Sequence, residues 1–193
     1  MSIRIITALF VLMLASGCLM SSVEAPKQWN IEHVSERKML PKSGRNVARL
    51  LLVEIRAPYS APEISVLRSD GSMAFDSYNV YAGAPVQLIK ALALEALEAS
   101  GIFSEVVSSG SSVDSDIDVE VAVKKLALDC RVSGSRRAIT EISVRFVRRG
   151  TIVANLLGAG AADATDGNYS AAFSKAVSEA FEDAFKRLAN ESL

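Results

Sequence analysis

The sequence predicts an α+β fold: a mostly antiparallel sheet with two main helices packed on one face, a two-layer sandwich. Three observations lead there. Several stretches alternate apolar and polar residues with a period of two, as half-buried strands do. Two others repeat apolar residues every three to four positions, as amphipathic helices do. Their order is strands, helix, strands, helix, and two helices on one face of a sheet is the simplest way to bury both patterns.

Taken in order, Trp29, Ile31 and His33 alternate, so a short edge strand begins near Gln28. Val47, Arg49, Leu51, Val53 and Ile55 alternate with Leu50, Leu52, Glu54 and Arg56. This reads as a strand largely buried on both sides, stopped at Ala57-Pro58. Residues 64–68 form the next strand, Ser69-Asp70-Gly71-Ser72 turns the chain, and Met73 to Phe75 begin its return. Pro85 suits a first helical position, and Gly101 suits the left-handed residue after a helix end. Between them Val86, Ile89, Leu92, Ala93, Ala96 and Leu97 make the buried stripe. Leu94 falls between Lys90 and Glu98 on the opposite side, where a partner could meet it.

Residues 102–107 resume as a strand, followed by a Ser- and Gly-rich loop. Ile117, Val119, Val121 and Val123 alternate, and the phase then slips to Leu126, Leu128, Cys130 and Val132. A one-residue slip inside a strand predicts a β-bulge at Lys124-Lys125. Thr140, Ile142, Val144 and Phe146 face Ile152, Ala154 and Leu156 if Arg148-Arg149-Gly150 forms a three-residue hairpin loop. Asn168 can cap the closing helix, whose apolar stripe is Phe173, Val177, Ala180, Phe181, Ala184 and Leu188. Ser174, Lys175, Ser178, Glu182 and Lys186 make its wet side.

The beginning of the chain has a different character. A cationic start, the apolar run from Ile5 to Leu14 and the small residues Ala15-Ser16-Gly17 have the outline of a secretory signal peptide. The run is too short to span a bilayer, which takes about 20 apolar residues. Leu14-Ala15-Ser16-Gly17-Cys18 resembles a bacterial lipobox, with Ala15 where Leu is commoner. That resemblance implies cleavage before Cys18 by signal peptidase II and a diacylglycerol thioether plus an N-acyl chain on its thiol and amine. Several chains anchor stably where one does so marginally. By resemblance to enterobacterial lipoprotein sorting, Leu19 rather than Asp after the cysteine implies the outer membrane, facing the periplasm. The expected organisation is a signal peptide over residues 1–17, a lipidated N-terminus and tether over residues 18–46, and one domain over residues 47–193.

The net charge of the precursor is −1, and Arg4 is the only charge removed with the signal. Neither a basic stripe nor an aromatic stacking cluster points to nucleic acid. After lipidation Cys130 is the remaining thiol of the two cysteines, so an internal disulfide is excluded and packing must hold the fold. Catalytic constellations are weak. His33 is the single histidine and sits beside the tether. Cys130 could pair with it as nucleophile and base, but its strand pattern makes it a buried, inert thiol. Gly158-Ala159-Gly160 lacks the third glycine of a dinucleotide fingerprint, so its small residues are read as room for a helix passing close by. Asp114, Asp116, Asp118 and Glu120 miss the glycine and the final glutamate of a calcium loop, and are read as a solvated strand face. The chain is read as non-catalytic, without a metal or a cofactor.

Tyr78-Asn79-Val80-Tyr81-Ala82, then Pro85 and its helix, then Ser100-Gly101-Ile102-Phe103-Ser104-Glu105-Val106, make one extended pattern. It resembles the ABC-type transport auxiliary lipoproteins, the family that includes the lipoprotein of the paraquat-inducible intermembrane lipid transport system. The likeness runs over roughly residues 47–190 and departs from the family at Val80-Tyr81, where Arg-Trp is common. It implies an accessory subunit working beside an ABC transporter and its mammalian-cell-entry protein, moving lipids between membranes, with homo-oligomers allowed. Tyr78, Tyr81 and Leu94 are the candidate partner contacts. Two rival readings share the lipidated α/β outline. One is a plug or assembly lipoprotein similar to the lipopolysaccharide-assembly lipoprotein, and the other is a lipid carrier with its own cavity.

Overall fold

One long strand organises the molecule. The computed structural model describes residues 24–32, 44–165 and 167–188. Its elements are β1 (Lys27–Trp29), β2 (Val47–Ile55), β3 (Glu63–Arg68), β4 (Met73–Tyr81), α1 (Pro85–Ala99), β5 (Glu105–Ser108), β6 (Ile117–Cys130), β7 (Arg137–Arg148), β8 (Thr151–Asp163) and α2 (Tyr169–Leu188). The fourteen residues of β6 pair antiparallel with β7 along one edge, and β7 pairs with β8. The other edge is shared. β2 lies parallel to the first half of β6, from Ala48 beside Ile117 to Ile55 beside Val123. β3 lies parallel to its end, with Val66 beside Leu128. The sheet therefore forks, into β2–β5 on one branch and β3–β4–β1 on the other.

The class is as expected, an α+β sheet with two helices, but the sheet is mixed rather than mostly antiparallel. The β3–β4 hairpin and the β6–β7–β8 meander are antiparallel, whereas β1–β4, β2–β5, β2–β6 and β3–β6 are parallel. Parallel neighbours need a long crossover. Here β3, β4 and α1 supply it between β2 and β5.

Residue alternation fixes which face is covered. Val119, Val121, Val123, Leu126 and Leu128 of β6 are buried on the helix side. The phase slip between them is a register shift between Val123 and Lys125, the bulge at Lys124-Lys125 that the pattern called for. α2 lies on β7 and β8, and α1 lies on β2 and β5 beside α2. Phe146, Phe173 and Phe181 fill the layer between, and Phe103 stacks on Phe146 at 6.1 Å. Pro85 opens α1, and Gly101 follows its end at a φ of 66°. A side-chain carbon on Gly158 or Gly160 would come within 2.0 Å of the carbonyl oxygens of Ala180 and Ala176. The helix rests directly on the backbone there, as the small residues implied.

Three local expectations change. The β7–β8 connection is a two-residue turn, with Arg149 at φ 49° and Gly150 at φ 78°, not a three-residue loop. Val147 then pairs with Ile152, and a bulge at Val153 puts Phe146 opposite Ala154. The tight turn suits strand twist, and the extra residue restores the core phase. β2 is not buried on both sides: a register shift between Leu50 and Leu52 leaves Leu51 and Leu52 exposed. Ser174 is not on a wet face. It is buried, and its Oγ accepts a hydrogen bond from the Glu32 amide at 2.9 Å.

Candidate functional site

The first described residues build the most distinctive surface feature. β1 runs parallel to β4, with Lys27 beside Asn79 and Trp29 beside Tyr81. The Trp29 indole Nε1 donates to Asn79 Oδ1 at 2.7 Å, and Asn79 Nδ2 donates to Asp76 Oδ2 at 2.8 Å. Asp76 Oδ1 accepts the Tyr78 and Asn79 amides at 3.0 and 3.2 Å, which bends β4 where β1 joins it. The Trp29 ring meets Tyr169 at the start of α2 at 5.3 Å, and Ile31 then enters the core. Trp29, Ile31 and the Glu32 amide thus lock the N-terminal strand onto both layers. Between this strand and α2 opens a surface cleft of about 480 Å³, lined by Lys27, Trp29, Tyr78, Asn79 and Tyr169.

A second surface lies opposite the helices, where no described helix covers the sheet. Register brings Leu52, Glu120, Arg145 and Asn155 into one row, and Glu54, Ala122, Ser143 and Leu157 into the next. Arg145 pairs with Glu120 at 2.9 Å, Lys125 pairs with Glu141, and Ser143 Oγ donates to Asn155 Oδ1 at 2.8 Å. These pairs cross strands, where opposite charges support the ladder. Leu51, Leu52, Val153 and Leu157 stand exposed at its margins, giving an apolar rim around a charged centre. At the outer edge, Asp183 and Glu179 of α2 accept the Ala159 and Ala161 amides, each at 3.2 Å, and so cap part of the β8 edge. Edge amides left open are templates for another strand.

The candidate contacts separate. Tyr78 is 63% exposed on the cleft rim. Tyr81 is 4% exposed and meets Phe173 edge-to-face at 5.6 Å, so it is a core residue and offers no surface to a partner. Its burial, with no hydrogen-bond partner for the hydroxyl, pushes the phenol ionisation up. Leu94 is half-buried against the core. Cys130 is half-buried in a groove beside Arg136 rather than sealed in the core, and burial pushes its thiol up, towards the unreactive protonated form. Asp116 accepts the Val47 amide at 2.8 Å and Asp118 accepts the Ser115 hydroxyl at 2.9 Å, so those carboxylates serve the fold. Cys18 and His33 lie outside the described residues.

Other exposed apolar residues carry no signal in the strand assignment alone. Phe75 is 50% exposed and Val132 is 69% exposed. A signal for Val132 does exist: it is an apolar residue in a turn, between Arg131 and Ser133-Gly134.

By sequence the chain matches no family model and no curated protein. By fold it is similar to the crystal structure of a Xanthomonas campestris protein of the DUF330 family, at a TM-score of 0.58 and 16% identity, covering 86% of this chain and 91% of that one. It is also similar to the crystal structure of an uncharacterized protein, at a TM-score of 0.55 and 13% identity, covering 86% of this chain and 99% of the other. At such identities the likeness is one of fold.

Proposed function

We propose that the protein is a non-catalytic lipoprotein, held at the periplasmic side of the outer membrane through Cys18. It would serve as the docking subunit of an ABC transporter with a mammalian-cell-entry partner, moving lipids between membranes. The observation that carries this reading is the N-terminal lock. β1 begins only nine residues after the lipobox cysteine, and its Trp29 is bonded to β4 and packed on α2. An acyl anchor at Cys18 would therefore lie within nine residues of a strand of the folded domain. The open sheet face, which no described helix covers and whose margins expose Leu51, Leu52, Val153 and Leu157, is the surface left for a protein partner. The residues that resemble transport auxiliary lipoproteins support the same reading. They join β4 to α1 and α1 to β5.

Metabolic labelling with palmitate tests the anchor, and affinity capture from crosslinked envelopes tests the partner. Wild-type protein is expected to take up label, Cys18→Ser to take up none, and the tagged full-length chain to bring down an ABC or mammalian-cell-entry subunit. Capture of a β-barrel instead would transfer the protein to the assembly-lipoprotein class.

A further inference from the structure

The lock at β1 has a direction. Because β1 is parallel to β4, with Lys27 beside Asn79, the chain before Lys27 heads back along β4 towards Met73, and Glu24 and Ala25 stand with Tyr78 in the cleft wall. Five residues lie between Cys18 and Glu24, so the six steps reach at most about 20 Å. Carried back in register, Glu24 comes level with Asp76, about 10 Å short of Met73. Cys18 is therefore within reach of the β3–β4 turn. The β6–β7 turn leaves the sheet beside it, because Arg68 pairs with Cys130.

This end of the molecule exposes Phe75 and Val132, the latter in the β6–β7 turn. Exposed Arg68 and Arg131 flank them. Aromatic and aliphatic side chains with arginines at their margin suit the boundary between headgroups and acyl chains. The charges themselves nearly cancel: Asp129 pairs with Arg131 at 2.7 Å, and Glu24 and Asp70 lie at the same end. Contact would thus depend on apolar insertion more than on attraction to anionic lipid.

We propose that this end of the domain, through Phe75 and Val132, rests in the interfacial layer of the phospholipid bilayer that holds the Cys18 lipid. The domain then lies on the membrane with the β7–β8 turn pointing away from it, and the open sheet face stands free above the surface. This inference rests on the lipid-anchor reading. The occupant is a bilayer and not a protein because the short leash keeps this end near the anchor's own membrane.

The test uses the full-length chain in a Gram-negative host, with a photoreactive benzoylphenylalanine placed at position 75, 132 or 152. Ile152 is an exposed control at the far end. After irradiation, intact-mass spectrometry is expected to show phospholipid adducts at 75 and 132 and none at 152, unchanged by washing the envelopes in high salt. Protein adducts at 75 and 132, or lipid adducts of equal yield at 152, overturn the proposal. Palmitate labelling of the same samples separates the two ideas. Label present with protein adducts removes only the membrane orientation, whereas label absent removes the anchor and the orientation with it.

Discussion

Replacing Gly160 with alanine tests the contact between α2 and β8 directly. The added carbon would lie 2.0 Å from the Ala176 carbonyl oxygen, 2.7 Å from the Ala180 amide nitrogen and 2.9 Å from Glu179 Cβ. Two of these atoms are backbone and the third is the first carbon of a helical side chain, so no rotamer change relieves the clash. Restoring an ordinary carbon–oxygen separation of about 3.4 Å moves the helix back by more than about 1 Å. That shift takes the 3.2 Å bonds from the Ala159 and Ala161 amides to Asp183 and Glu179 beyond useful range. Overpacking alone costs about 1–3 kcal/mol, and two weakened hydrogen bonds add about 1 kcal/mol each. The total, on the order of 3–5 kcal/mol, is a large share of the 5–15 kcal/mol that holds a typical domain. Gly134→Ala is the control. Gly134 has nothing within 4 Å of the added carbon and bears only the strain of a φ of 75°, about 1–2 kcal/mol. Urea unfolding of the Cys18→Ser chain, followed by far-UV circular dichroism, reads both. With a slope of roughly 2 kcal/mol per molar, Gly160→Ala lowers the midpoint by about 1.5–2.5 M. A Gly160→Ala midpoint no lower than that of Gly134→Ala would refute the close-contact argument.

Tyr81→Phe addresses the buried hydroxyl. Burial raises the folded-state ionisation of Tyr81 above the ordinary value near 10, so its contribution is whole below about pH 10 and is lost as pH climbs towards the folded value. The variant should be at least as stable at pH 7, since an unpartnered buried hydroxyl is removed, and its denaturation midpoint should fall less steeply above pH 10; parallel curves contradict this. Arg149→Asn should stabilise the β7–β8 turn by up to about 1 kcal/mol in thermal unfolding, because asparagine tolerates the left-handed φ of 49° better than arginine. Glu179→Ala combined with Asp183→Ala uncaps the Ala159 and Ala161 amides and should promote edge-to-edge association, visible as a higher mass in light scattering, while either single variant shows less.

Periodicity made much of this architecture legible. The stripes of α1 and α2, the β3–β4 hairpin, the bulge at Lys124-Lys125 and the glycine-floored seat of α2 all follow from local spacing, because each records which face of one element is dry. Pairing partners are a different kind of information. That β2 and β3 share one edge of β6 depends on crossovers, and no residue of β6 encodes it. Ser174 reads as a wet-face serine until the Glu32 amide, 142 positions away in the chain, arrives as its donor. The two tyrosines were separable in principle: Tyr78 and Tyr81 are three apart in a strand, so an ideal strand turns them to opposite faces and allows only one outward. Phe75 gave no such clue, since an aromatic on a strand is ordinarily core.

The parallel pairing of β1 and β4 also decides how the molecule bears tension. If Cys18 carries the proposed lipid, tension from it acts along the axis of β1, and the rungs that bind β1 to β4 are loaded together rather than one after another. Behind them Ile31, sunk in the core, acts as a knot at the end of the cord. Such tension would pass to the whole β-layer instead of fraying the seam between β1 and β4.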